Sequence, residues 1–214
     1  MRNDNPLWPL VDARAAQFTG LADAVFDTPE LAYGEVKSCA AHTRMLRDQG
    51  FRVTENLAGI PTAVMGEAGT GGPVIAILGE YDALPGLSQE PGLAEPRQIA
   101  DHGFGHGCGH NLLGSAALSA ATAVKDWLEA NGVPGRVRYY GCPAEEGGAA
   151  KTYMVRDGLF DDVDMPSPGT RPASTRSTTC GLWPTRASTS PSTARPPTRR
   201  ARRNWAGPPW TRSS

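Results

Sequence analysis

Acidic residues are missing from the last quarter of this 214-residue chain: every Asp and Glu lies at or before Asp164. From Met165 onward there is also no Ile, Val, Phe, Tyr or Lys, and Arg, Pro, Ser and Thr make up most of the segment. So few core-forming side chains cannot offset the entropy of ordering a chain. Residues 165–214 are therefore expected to form a low-complexity basic tail, disordered or out of frame, beyond a partial catalytic domain at 1–164. No run of about 18 apolar residues occurs, so no transmembrane helix is indicated. The N-terminal stretch lacks the apolar segment of a secretory signal. Cysteine is scarce, with Cys39, Cys108, Cys142 and Cys180 irregularly spaced, which suits a reducing cytoplasm better than a disulfide framework.

Charge divides the chain at the same place. Nine of the 21 basic residues are arginines of the tail, which leaves 12 against all 22 acids before it. An acidic first part gives no reason to expect nucleic acid or an anionic membrane as partner. The tail, with its cluster at residues 199–203, supports one alternative: a non-catalytic fragment with a basic nucleic-acid-binding tail.

Apolar residues recur at helical spacing over residues 7–26 (Leu10, Val11, Phe18, Leu21, Val25), and a second helix is expected over 35–48, ending at Gly50. Short strands are expected at 51–54, 62–65 and 74–78, the last continuously apolar as a buried central strand is. Residues 84–109 read as a long loop rich in Gly, Pro and His, a kind of segment that is usually functional. The clearest helix spans 111–131, closed by Gly132 and Pro134; a strand at 136–140 and a helix at 146–157 follow. Alternating helices and strands give an α/β class, a layered mixed sheet with flanking helices.

Three polar clusters fall where strands are expected to end: Gly79-Glu80-Tyr81-Asp82, Gly105-His106-Gly107-Cys108-Gly109-His110-Asn111, and Pro143-Ala144-Glu145-Glu146-Gly147-Gly148. Ligands of open α/β sheets bind beyond the carboxyl ends of strands, so the three could converge. Cys108 and His110 are two residues apart between glycines that permit sharp turns, and sulfur with nitrogen suits zinc or a similar metal. Taken singly each signal is weak. An isolated Cys is usually a small core hydrophobe, His102 and His106 read as solvated loop residues, and paired acids usually lie on a wet helix face. Glu145-Glu146, however, follows an apolar strand and precedes two glycines. Adjacent carboxylates there could divide the work, one binding metal and one holding a proton. Thiol catalysis by Cys108 with a nearby His is a competing reading, which leaves the two acids without a role.

GEYDALPG, GHGCGHNLLG and YYGCPAEEGG, in that order and spacing, resemble the metallo-amidohydrolases that include p-aminobenzoyl-glutamate hydrolases, auxin-conjugate hydrolases, hippurate hydrolases and aminoacylases. The resemblance covers residues 7–164 and is nearest to the p-aminobenzoyl-glutamate hydrolase branch. It implies a zinc-peptidase-like catalytic domain with Cys108, His110 and Glu146 as metal ligands and Glu145 as general base. Asp82 matches an Asp that follows a ligand His by two residues in other branches, and Glu80 stands at that His position here. Asn111 stands where many relatives have Asp. Asp82, Asn111 and His106 are thus candidates for a supporting place behind the ligands. The resemblance further implies a cytoplasmic protein, a small amide substrate (an N-acyl or aminobenzoyl amino acid or dipeptide), two divalent cations, zinc or manganese, and a homodimer for the complete enzyme.

Such relatives resemble two-domain proteins of about twice this length, with further histidine ligands, yet no His follows His110. An out-of-frame tail would explain this. Shifted codons allow residues 165–171 to yield Ala-Leu-Thr-Trp-His-Pro and residues 192–200 to yield His-Gly-Lys-Ala-Ala-His-Ala-Ala, two strings similar to the family's in the correct order. The chain is accordingly expected to be truncated and inactive by itself.

Overall fold

Continuous apolarity at Val74 to Leu78 predicts a strand buried on both faces, and a computed structural model places it well inside the sheet. The structure describes residues 4–99 and 103–167. The expectations for residues 168–214, and His102, lie outside them. All described residues belong to the compact unit Met1–Arg171.

The main sheet has five strands: β1 (Arg52–Glu55), β2 (Val64–Thr70), β3 (Val74–Glu80), β6 (Gly135–Cys142) and β7 (Met165–Ser167), in the order β1-β2-β6-β3-β7. The β1/β2 and β2/β6 pairs are antiparallel, while β3 runs parallel to both β6 and β7. This is the expected layered mixed sheet. The boundary expected after Asp164 falls just short of its last strand, because β7 adds to the β3 edge. The entry to β7 is held by Asp164, whose carboxylate accepts the Val74 N–H at 2.8 Å.

Among the described residues six α-helical segments accompany the sheet: α1 (Trp8–Asp12), α2 (Ala15–Phe26), α3 (Val36–Asp48), α4 (His110–Ala130), α5 (Glu145–Gly148) and α6 (Ala150–Arg156). One continuous helix was expected over 7–26; the chain instead breaks at Arg14, where φ is −115° and ψ 8°. The apolar residues on the two sides serve different surfaces, since α1 buries none while α2 buries Phe18, Leu21 and Val25. The helix expected at 146–157 begins later, at Ala150. Glu146 has ψ 80° and Gly147 and Ala149 have positive φ, so the residues after β6 form a wound turn rather than a helical start. Within the long loop, β4 (Leu84–Pro85) and β5 (Phe104–Gly105) pair antiparallel.

The core lies between the sheet and α2, α3 and α4, with Val25, Leu46, Val64, Leu118, Ala121, Val137 and Tyr139 buried together. Full burial of a side chain such as Leu46 or Leu118 contributes about 1.5–3 kcal/mol. Among the described residues no helix is long and apolar enough to cross a membrane.

Candidate metal centre

Parallel pairing puts Glu80 of β3 opposite Cys142 of β6, so the residues that follow both strands leave the sheet at one edge. Beyond β3 stands Asp82, and beyond β6 stand Glu145 and Glu146. The connection between the strands returns to the same edge at Cys108 and enters α4 at His110. Gly109 makes that entry possible: it caps α4 with φ 81°, a left-handed conformation that glycine adopts without penalty.

Cys108, His110 and Glu146 each offer one ligand atom, and these atoms all lie within 4.8 Å of one another. His110 is completely buried. Its Nδ1 lies 2.9 Å from the Asp82 carbonyl oxygen and 3.0 Å from Asp82 Oδ1. A carbonyl oxygen only accepts, so Nδ1 donates, and in the neutral ring the lone pair belongs to Nε2. Nε2 is buried without a hydrogen-bond partner. It faces Glu145 Oε2 at 3.7 Å, Glu80 Oε2 at 3.8 Å and Glu146 Oε1 at 4.0 Å. Asp82 also fixes Glu146, because its Oδ2 accepts the Glu146 N–H at 2.9 Å. Glu80, fully buried, takes the Lys151 ammonium on its Oε1.

The electrostatics have one sign. Burial opposes a charge on His110, but its hydrogen bond to Asp82 and the charges of Asp82 and Glu80 prevail and raise its pKa. Burial likewise pushes Asp82 up, and the hydrogen bonds from His110 and the Glu146 amide more than reverse it. Burial raises Glu145 while the Lys151 charge pulls it back. Partial desolvation of the otherwise exposed Cys108, and then the neighbouring Glu146, push its thiol up to about 11. Reactive cysteines have the opposite, electropositive surroundings. An orphaned imidazole nitrogen inside a ring of carboxylates, beside a thiol, is a place that favours positive charge. The nitrogen, sulfur and oxygen donors fit zinc or a similar divalent cation.

Two of the sequence candidates are not brought to these atoms. His106 Nε2 lies 3.1 Å from the Val25 carbonyl, and Asn111 Nδ2 donates to the Ala22 carbonyl at 3.3 Å. Both side chains bond to α2 rather than to the ligand set. An apolar cavity of about 210 Å³, lined by Phe26, Leu87, Ile99, Phe104, His106 and Gly107, opens next to Cys108 in the chain. Sequence reasoning missed Lys151, which reads as an ordinary surface lysine of α6, and Tyr33 and Glu35. Glu35 looks like a solvated helix start, and no local pattern announces that it is fully buried.

A sequence model of the family described as "Peptidase family M20/M25/M40" matches residues 76–191. The chain is 53% identical over 154 residues to a subunit of the p-aminobenzoyl-glutamate hydrolase of Escherichia coli, covering 72% of this chain and 32% of that protein. Among solved structures, a dinuclear metal-binding peptidase of Bacillus subtilis superposes with a TM-score of 0.60 at 24% identity, covering 72% of this chain and 42% of that one. An aminobenzoyl-glutamate utilization protein from Klebsiella pneumoniae gives 0.54 at 17% identity, covering 76% and 45%. The chain spans about a third of the length of the curated relatives it matches.

Proposed function

The chain belongs to peptidase family M20/M25/M40, and from that premise we propose that it carries the metal-binding half of an amidohydrolase that cleaves an amide bond of an N-acyl or aminobenzoyl amino acid or dipeptide. The observation that carries this reading is the gathering of Cys108, His110 and Glu146 within 4.8 Å. These three are the ligands. A divalent cation, zinc or manganese, supplies Lewis acidity toward an amide carbonyl when bound there.

The remaining steps belong to side chains of this chain. Asp82 holds the His110 ring through Nδ1 and presents Nε2 to the centre, as carboxylates behind histidine ligands do. Glu145 is the general base: its carboxylate is one-third exposed (34%) and 3.7 Å from His110 Nε2, so it reaches both water and the centre. It takes a proton from water onto Oε2 and returns it to the departing amine. The Lys151 charge limits how far burial raises Glu145. The apolar cavity whose lining ends at Gly107, the residue before Cys108, suits the acyl or aromatic side of the amide. Substrate class follows the relatives, which include the Escherichia coli hydrolase, an Xaa-Arg dipeptidase and an N-acetyl-L-cysteine deacetylase. Thiol catalysis is disfavoured because the Cys108 thiol lies among carboxylates.

Three ligands seldom hold two metals, so the second cation and the homodimer belong to the complete, cytoplasmic enzyme, and the 214-residue chain alone is expected to have negligible amidase turnover. Titration of the purified chain with cobalt(II) tests the ligand assignment. Cys108 binding produces a sulfur-to-cobalt charge-transfer band. Glu146→Ala should weaken cobalt at least about tenfold, equivalent to about 1.4 kcal/mol, whereas Glu145→Gln should leave the affinity within about threefold. Equal losses from the two would overturn the assignment, and robust turnover by this chain would overturn the expected inactivity.

A further inference from the structure

Glu145 and Glu146 lie on a turn that should be costly to hold. Ala144 before it and Ala149 after it both have positive φ, 52° and 53°, a region that residues with a Cβ enter only under local compulsion. Neither alanine has a polar side chain of its own to stabilise that conformation. The compulsion comes from a segment more than 100 residues earlier in the chain.

Glu35 is fully buried, and one carboxylate oxygen, Oε1, accepts the Ala144 N–H at 2.8 Å and the Tyr33 N–H at 2.9 Å. The Tyr33 hydroxyl donates to the Gly148 carbonyl at 2.6 Å. One contact grips the turn just before Glu145 and the other grips it just after Gly147. The second grip also dictates a residue type, since a Cβ on Gly148 would lie 2.8 Å from the Tyr33 ring and 2.5 Å from the Ala144 Cβ. Two residues upstream of this segment's tyrosine, Leu31 bridges Ala83, and the Ala83 N–H donates to the Glu30 carbonyl at 2.8 Å. The segment 30–35 therefore fastens the chain next to Asp82 as well as the turn that follows β6.

We propose that Tyr33 and Glu35 are positioning residues that clamp the Ala144–Ala149 turn and so set where the Glu145 and Glu146 carboxylates stand relative to His110. The clamp itself is independent of any metal; its consequence for ligand geometry rests on the ligand reading above. Both side chains act through backbone groups of the turn, so their influence should be selective for it. Tyr33 also occupies a left-handed conformation, φ 66°, which the buried Glu35 oxygen stabilises by accepting its N–H.

The test uses the whole 214-residue chain and two readouts. Hydrogen–deuterium exchange by mass spectrometry follows peptides covering residues 143–149, β6 and α4. Glu35→Ala should raise exchange at 143–149 at least about tenfold, as loss of a buried acceptor that leaves N–H groups unpaired implies, and leave β6 and α4 unchanged. Glu35→Gln keeps the accepting oxygen and should restore protection. Tyr33→Phe, which removes only the hydroxyl, should loosen the same peptide without threatening the fold. Unchanged exchange at 143–149, or an equal rise throughout β6 and α4, would overturn the clamp. The second readout is cobalt affinity. Glu35→Ala should weaken it at least about tenfold in the native background and have little effect in Glu146→Ala, because both changes act on one ligand. Additive losses would overturn the link to Glu146. A chain that binds no cobalt while the exchange pattern holds would remove the ligand reading and leave the clamp standing.

Discussion

Replacing a helical glycine by alanine ordinarily gains about 0.5–1 kcal/mol, since alanine loses less conformational freedom on folding. At Gly114 of α4 the structure reverses that sign. A Cβ there would lie 2.3 Å from the Glu80 carbonyl oxygen and 3.0 Å from His42 Cε1. The oxygen is backbone at the end of β3. His42 is fully buried, stacked on Tyr139 with ring centroids 5.8 Å apart, and bonded at 2.9 Å through Nδ1 to the Tyr139 hydroxyl. Neither can yield, so α4 must retreat from the sheet. Forcing extra volume into a packed core costs about 1–3 kcal/mol, which leaves a net loss of up to about 2.5 kcal/mol after the helical gain.

Gly20 of α2 supplies the control, because nothing lies within 4 Å of its Cβ. Gly20→Ala should stabilise and Gly114→Ala destabilise. The two should differ by the overpacking cost, about 1–3 kcal/mol, or roughly 2–12 °C in Tm for a domain of this size, measured by urea and thermal denaturation. Gly114 is also four residues after His110 on the same helix, so the retreat should lower cobalt affinity in Gly114→Ala and not in Gly20→Ala. If the two alanine variants prove equally stable, the close contact between α4 and the end of β3 is wrong, and with it the rigid delivery of His110 to the centre.

Two further outcomes are expected. Burial, against weaker pulls from the amides it accepts, holds the Glu35 carboxyl at about 7 where 4.5 is ordinary. The folded state then keeps this proton longer than the unfolded state, so the contribution is full below about 4.5 and is lost as pH rises through about 7. The shift corresponds to about 3 kcal/mol; urea midpoints between these pH values should fall in the native chain relative to Glu35→Gln, and parallel curves would contradict the buried carboxyl. Cys108 is exposed while Cys39 and Cys142 are buried. Peptide mapping after iodoacetamide should find Cys108 modified without metal and shielded by zinc, and labelling indifferent to zinc would count against Cys108 as a ligand.

Much of the architecture was legible locally. The unbroken apolar run of β3, the helical periodicity along the 21 residues of α4 and the glycine punctuation between them each follow from short-range rules, because burial on both faces and one-sided helix packing leave different periods in the chain. The three polar clusters were visible for the same reason, as each sits where an apolar run stops. The change of composition after Asp164, where acids and core-forming side chains vanish together, is equally plain in the sequence.

What the linear order could not supply is direction and distance. Whether His106 and Asn111 point toward the ligands or toward α2 depends on helix packing, and both bond to carbonyls of α2. Glu35 and Tyr33 resemble solvated residues until folding carries them more than 100 positions along the chain to the turn behind β6. The pairing of Lys151 with Glu80 is equally non-local. Residue types and strand ends were determined by the sequence alone, because propensity and burial act over a few residues. The convergence of Cys108, His110 and Glu146, and the grip that holds their neighbours, was decided only by tertiary packing, because parallel strands and a crossover helix are what bring those ends to one edge.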